Sequence, residues 1–271
     1  MTSKRRRISA IWITAISLTS IAATDLALAQ RGSAGNRQAA APISSDRSGS
    51  DDQAIPSKLQ PSFPDTMACP EIASPYGSRT RFDGSFRPPW AFGGHHGGID
   101  ISLTEGTPLL AIAAGTVAGV GVGGVMEGIY LWLRHSPTDT GLAYWVYSKY
   151  QHLQSRPELP VGTKVGVGQP VAHSGRTGTV GGHYGASGYP HLHLTTRKGS
   201  TGNEVVGSRE STNGMPLMDP LAVFHETLPG FVPAEDSAPK VESVVIPFVN
   251  TDGRLSPPDA RVAWPVACQQ K

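Results

Sequence analysis

Five stretches of the chain concentrate β-branched and aromatic residues over strand-like lengths and stop at glycine or polar turns. They are PLLAIAAGTVAGVGV (108–122), GIYLWLRH (128–135), LAYWVYSKYQHL (142–153), QPVAHSG (169–175) and HLHLTTR (191–197). No long segment carries a helical period, so the pattern predicts an all-β body. EGTPLLAIAAGTV (105–117) is echoed by VGTKVGVGQPVAHSG (161–175), each with a Gly-Thr turn, a strand, a short turn and a second strand. The echo predicts two similar hairpin units closing a compact antiparallel sandwich. Beyond about Pro229 the chain turns proline-rich, with VESVVIPFVN (241–250) as one further strand.

Composition supports this reading and trims the ends. The 32 glycines and 23 prolines among 271 residues suit tight turns between short strands. KRRR (4–7), the apolar run ISAIWITAISLTSIAA (8–23) and ALA (27–29) form the three parts of a secretory signal peptide, with cleavage expected after Ala29. The apolar run is short for a membrane span and is followed by Asp25, so no stable membrane insertion is expected after cleavage. An exported protein, periplasmic or secreted, follows. Residues 30–68 are dominated by small and polar residues and read as a disordered linker or pro-segment. The folded domain is placed at 69–228, with 229–271 as a C-terminal extension. The formal charge is +2, but the signal carries +3 of it, leaving about −1 for the remainder. No basic stripe survives, which argues against nucleic acid as a partner. Cys69 and Cys268 are the two cysteines; in an oxidising compartment they are expected to pair and tie back the extension. A monomer is expected.

Three short segments carry chemistry. In HHGGIDI (95–101), a strand would turn Ile99 and Ile101 into the core and Asp100 to the other face. Gly97 and Gly98 let His96 fold back beside that carboxylate, as a metal pair, a hydrogen bond or a plain turn would all require. In YQHL (150–153), strand alternation puts Tyr150 and His152 on one face. In YPHLHLTTRK (189–198), His191 and His193 share a face with Leu192 and Leu194 opposite. Strand neighbours two apart stand about 6–7 Å from each other. When one imidazole binds a metal, the other is placed to touch a water or a substrate oxygen. Spacing does not say which of the two is the ligand. Two histidines and an aspartate with an open fourth position describe catalytic rather than structural zinc.

Read in order, SPYGSR (74–79), HGGID (96–100), YQHL (150–153), GQPVAHSGRTG (168–178), GYPHLHL (188–194) and MDPLAVF (218–224) resemble the lysostaphin-type (LytM-like) zinc endopeptidases that cut peptidoglycan. The resemblance covers roughly Ser74 to Phe224. It implies His96, Asp100 and His193 as ligands of Zn2+, and His152 and His191 as the catalytic histidines acting on water and on the tetrahedral intermediate. It implies peptide stems or cross-bridges of peptidoglycan as the substrate. With the strand pattern, it predicts an all-β, compact antiparallel β-sandwich or barrel-sandwich hybrid with a zinc groove.

The chain departs from the family pattern in a long aromatic approach to the first ligand (81–95), a long hairpin (125–153) and a glycine-rich loop (175–190). These bear on which peptide is admitted. His183 and Tyr184 lie in that last loop as candidate substrate contacts, His95 reads as a surface residue with groove lining as the alternative, and His135, His173 and His225 receive no role. Other readings are a catalytically silent family member that regulates another cell-wall hydrolase, and a zinc peptidase of a non-wall peptide. A biotinyl-type carrier domain lacks a lysine at a hairpin tip.

Overall fold

A computed structural model describes residues 53–179, 188–208, 214–227 and 241–271. The expected signal peptide, the linker up to residue 52, and His183 and Tyr184 lie outside the described residues. The strands are Leu59–Ser62 (β1), Met67–Ala68 (β2), Ile72–Ser74 (β3), Ile99–Ser102 (β4), Pro108–Leu110 (β5), Gly115–Val122 (β6), Ile129–His135 (β7) and Trp145–Gln151 (β8). They continue with Lys164–Val165 (β9), Pro170–His173 (β10), His191–Gly199 (β11), Leu217–Met218 (β12), Glu242–Val245 (β13), Phe248–Val249 (β14), Leu255–Ser256 (β15) and Gln269–Gln270 (β16). Two short helices, Pro137–Thr140 (α1) and Pro220–His225 (α2), complete the described elements; Ser136 and Asp219 cap their first turns. The protein is all-β, and its sheets are open.

The main sheet runs β3-β4-β11-β8-β7-β6-β9 with β12 added beside β11, and its pairings are antiparallel. Its register separates two faces. Leu194 stands between Ile99 and Tyr150, whereas His193 stands between Asp100 and Gln151. Ile99, Ile101, Leu131, Leu133, Tyr150, Leu192 and Leu194 are fully buried in one apolar cluster. Burying each such aliphatic side chain contributes about 1.5–3 kcal/mol. The other face presents polar side chains, and these line the groove described below.

The two echoed segments do not form separate hairpins. β5 pairs with β10 and β6 with β9, so each segment lends one strand to the other. Gly106 and Gly162 open the matching turns at φ +85° and +92°, a backbone region closed to most side chains. The Tyr150 hydroxyl binds the segment at β5 to the main sheet, accepting from Ile112 N at 2.9 Å and donating to Leu110 O at 3.0 Å. Burial pushes this phenol well above its ordinary pKa.

Residues 53–68, expected within the linker, contain β1 and β2. β1 pairs in parallel with β13 and β2 pairs with β16, while Leu59, Phe63 and Met67 pack on the core. Their partners lie some 180 to 200 residues away in sequence, which is why local composition does not reveal the pairing. The strand expected at 241–250 is divided into β13 and β14. Trp264, fully buried, packs against Phe63 and Phe224 and donates from Nε1 to Pro70 O at 3.2 Å. Cys69 and Cys268 are disulfide-bonded across a sequence separation of 199.

His135 is a structural histidine. It is fully buried, its Nδ1 donates to Ala114 O at 2.8 Å, and its Nε2 lies 2.8 Å from Ser148 Oγ. Burial lowers its pKa to about 4.

Two outcomes are expected. Replacing both cysteines by serine removes a constraint on a loop of about 200 residues and costs up to about 5 kcal/mol in the chain-entropy description. Urea unfolding at neutral pH checks this, and an unchanged midpoint contradicts it. Because the folded His135 pKa lies below its unfolded value, its contribution is complete above about pH 6.5 and is lost as pH falls toward 4, on the order of 3 kcal/mol. His135→Gln therefore loses less stability than the parent protein between pH 7 and 4, measured on metal-free protein.

Candidate metal centre

The turn before β4 is built for close approach. A Cβ at Gly98 would lie 2.3 Å from Leu194 O, and one at Gly97 would lie 2.3 Å from the Phe92 ring. Only glycine fits at either place, and the two together let His96 return over Asp100. Across the β4/β11 pairing, His193 faces Asp100 directly.

His96 Nε2, Asp100 Oδ1 and His193 Nδ1 form a triangle with sides of 3.0 Å (His96 to His193), 2.7 Å (His193 to Asp100) and 3.1 Å (His96 to Asp100). Three ligands of a tetrahedral ion with bonds of about 2.0–2.1 Å stand about 3.3 Å apart. The donor set thus fits one face of a zinc tetrahedron with little adjustment. These three residues make up the one cluster of this kind among the described residues.

The proton inventory points the same way. A carbonyl oxygen can only accept, so His96, His152 and His191 must each carry a proton on Nδ1. They donate it to Pro75 O at 3.0 Å, Thr177 O at 2.8 Å and Tyr189 O at 2.9 Å. In the neutral rings their Nε2 atoms are left as electron-pair donors. His193 Nε2 lies 2.9 Å from Thr195 Oγ1; a bond donated there leaves Nδ1 as its inner lone pair. Lone pairs converging on a carboxylate oxygen repel unless a proton or a cation lies among them. Outer-nitrogen anchoring of this kind is the habit of metal-binding histidines.

Burial enforces neutral rings. It lowers the pKa of His96, takes His193 down to about 4, and, with the neighbouring His191 and His193, holds His152 well below its usual value. Burial alone would raise the Asp100 carboxyl, but its surroundings of His96, His191 and His193 outweigh it and hold it well below the usual range.

His152 and His191 adjoin the triangle. Their rings lie 4.5 Å apart, His152 is 5.9 Å from the His193 ring, and His191 Nε2 is 3.6 Å from Asp100 Oδ1. Strand alternation fails at His152. β8 ends at Gln151, and His152 takes φ +61°, a strained conformation for a residue with a side chain. Tyr150 and His152 therefore do not share a face: Tyr150 is in the core and His152 is in the site. All five expected residues line one cavity of about 740 Å³. His95, expected at the surface, lines it too.

Several cavity residues were not singled out from the sequence. Thr195 and Arg197 continue the His191/His193 face by simple alternation, and Lys149 with Gln151 repeat it on β8. Polar residues at every second place of an otherwise apolar strand are the signal that marks them. Lys149 is ion-paired with Glu127 over the Tyr130 and Trp132 rings. Arg87 comes from the long loop before His96, where no period indicates its direction.

Residues 94–206 match Peptidase family M23. An uncharacterised metalloprotease of Haemophilus influenzae is 35% identical over 124 residues, covering 45% of this chain and 22% of that protein. This chain thus spans about a fifth of that relative's length. Among solved structures, LytU shows 26% identity with a TM-score of 0.42, covering 61% of this chain and 90% of that one. The catalytic domain of the antimicrobial peptidase lysostaphin from Staphylococcus simulans shows 28% identity with a TM-score of 0.38, covering 56% and 90%.

Single replacements His96→Ala, Asp100→Asn and His193→Ala are each expected to abolish stoichiometric metal binding by the purified apo-protein, whereas His152→Ala retains it. Metal affinity in the parent falls on acidification, because the ligands must lose protons to bind. Titration with zinc at pH 7.5 and 5.5 measures both; affinity independent of pH contradicts the ligand set.

Proposed function

Residues 94–206 belong to Peptidase family M23, and from that premise we propose that this protein is a zinc-dependent endopeptidase hydrolysing peptide cross-links of bacterial peptidoglycan. The observation that carries the proposal is the His96–Asp100–His193 triangle with two further histidines beside it in one cavity. His96, Asp100 and His193 would hold the ion. Zinc there supplies a lowered pKa for water and a polarising charge for the scissile carbonyl.

The remaining work falls to the chain's own groups. His152 and His191 have Nδ1 engaged by backbone carbonyls, and Nε2 of either ring, in its neutral form, is suited to take a proton from the attacking water. Their Nδ1 atoms are tied to backbone carbonyls, so each ring keeps its orientation while Nε2 gains and returns a proton. The protonated ring then delivers its proton to the leaving amine, and the partner ring can steady the oxygen of the tetrahedral intermediate only in its own protonated form. The left-handed backbone at His152 holds its ring against His191 at 4.5 Å, a geometry an ordinary strand end would not give. No serine or cysteine nucleophile is required, and Cys69 and Cys268 are consumed in their disulfide.

Peptidoglycan as substrate rests on the motif resemblance, and export rests on the N-terminal segment. Among the described residues no helix is long and apolar enough to cross a membrane.

Purified zinc-loaded protein is expected to release muropeptide fragments from isolated sacculi. His191→Ala and His152→Ala are expected to retain one zinc and lose about 10²–10⁴-fold in turnover. Mass spectrometry of the fragments against zinc content decides. Bound zinc with no cleavage by the parent protein favours the silent regulator, and cleavage of unrelated peptides alone favours a non-wall substrate.

A further inference from the structure

The loop between β3 and β4 brings one cation against the centre. Arg87 Nη2 donates to Ser74 Oγ at 2.8 Å and stands 3.5 Å from Asp100 Oδ2. The carboxylate is thereby divided: Oδ1 faces His96, His191 and His193, and Oδ2 faces the guanidinium. The Arg87 side chain is 13% exposed and lines the same cavity as the five site residues.

Its Nε is buried without a hydrogen-bond partner. Among the described residues one other buried side-chain atom shares that condition, His95 Nδ1, and His95 belongs to the same cavity wall. An unsatisfied buried donor costs about 1–3 kcal/mol, and more when it is charged. Such a group calls for an explanation, and a role in catalysis is one of the few available. An arginine present only to neutralise Asp100 explains Nη2 but leaves Nε unexplained. The guanidinium cannot lose its proton at ordinary pH, so its chemistry is donation to an oxygen and not acid–base exchange.

We infer that Arg87 is a substrate-binding residue that donates from Nε to the carbonyl oxygen of the scissile peptide bond as negative charge develops there. This rests on the peptidase reading above. Arg87 is charged throughout and is held beside Asp100, whose Oδ1 is a corner of the donor triangle. In the step it serves, the oxygen of water forms a bond to the carbonyl carbon while a proton passes to a histidine Nε2. The carbonyl π pair moves onto the oxygen that Arg87 faces. That pair then returns, the C–N bond breaks, and the same proton goes to the departing amine.

Arg87→Ala and Arg87→Lys proteins test this. Zinc affinity is measured by chelator competition, kcat and KM at saturating zinc, and the binding of a peptide phosphinate, whose tetrahedral anionic centre resembles the charged intermediate. Arg87→Ala is expected to keep one zinc and lose about 10²–10³-fold in kcat, the usual cost of one such donor, with KM within threefold. Phosphinate affinity should fall with kcat, and added guanidinium ion should restore part of both. Arg87→Lys keeps a charge near Asp100 without the Nε donor, so zinc affinity should be close to the parent's while kcat stays low. Activity fully restored by more zinc, or phosphinate affinity unchanged in both variants, overturns the inference and leaves the peptidase reading standing. A zinc-loaded parent protein that neither cleaves peptides nor binds the phosphinate overturns both.

Discussion

The pairing of β4 with β11 is the constraint on which the site depends. In one register it sets His193 opposite Asp100 and Leu194 opposite Ile99. A slip of one residue would turn both histidines of β11 into the core and both leucines into the groove. The buried aliphatic residues therefore do more than stabilise the sheet. Their demand for the core face fixes where the imidazoles point, and the same preference sets Tyr150 and Leu131 on the neighbouring strands.

A second constraint operates within the site. Each imidazole is anchored on its outer nitrogen by an oxygen of the scaffold: Pro75, Thr177, Tyr189 or Thr195. The backbone carbonyls thus select the tautomer of His96, His152 and His191 as well as the orientation, and burial disfavours charge on His96, His152 and His193. A cluster arranged in this way is electron-rich by construction. It is poorly satisfied by hydrogen bonds alone and well matched to a divalent cation bound by three protein atoms with a position left open.

Much of this was legible in the sequence because it obeys a period of two. Ile99-Asp100-Ile101 and His191-Leu192-His193-Leu194 announce their faces by alternation, and the structure places all seven as that rule requires. The rule fails where the backbone leaves the strand. His152 adopts a left-handed conformation one residue beyond β8, so its face could not be read from that of Tyr150. Arg87 sits in an aperiodic loop whose direction is set by tertiary contacts with Ser74 and Asp100. The packing of residues 53–68 depends on strands at the far end of the chain, and composition near residue 60 holds no trace of them.

The account stands on one structural claim: two imidazoles and one carboxylate hold the ion while His152 and His191 do not. Zinc K-edge X-ray absorption on the zinc-loaded protein tests it most directly. The predicted first shell has two imidazole nitrogens and light oxygen donors at about 2.0–2.1 Å, with no sulfur. Imidazole scattering should be unchanged in a His191→Ala protein and reduced to one ring in a weakly loaded His193→Ala protein. A shell of three or four imidazoles, or the loss of one ring on replacing His191, would contradict it.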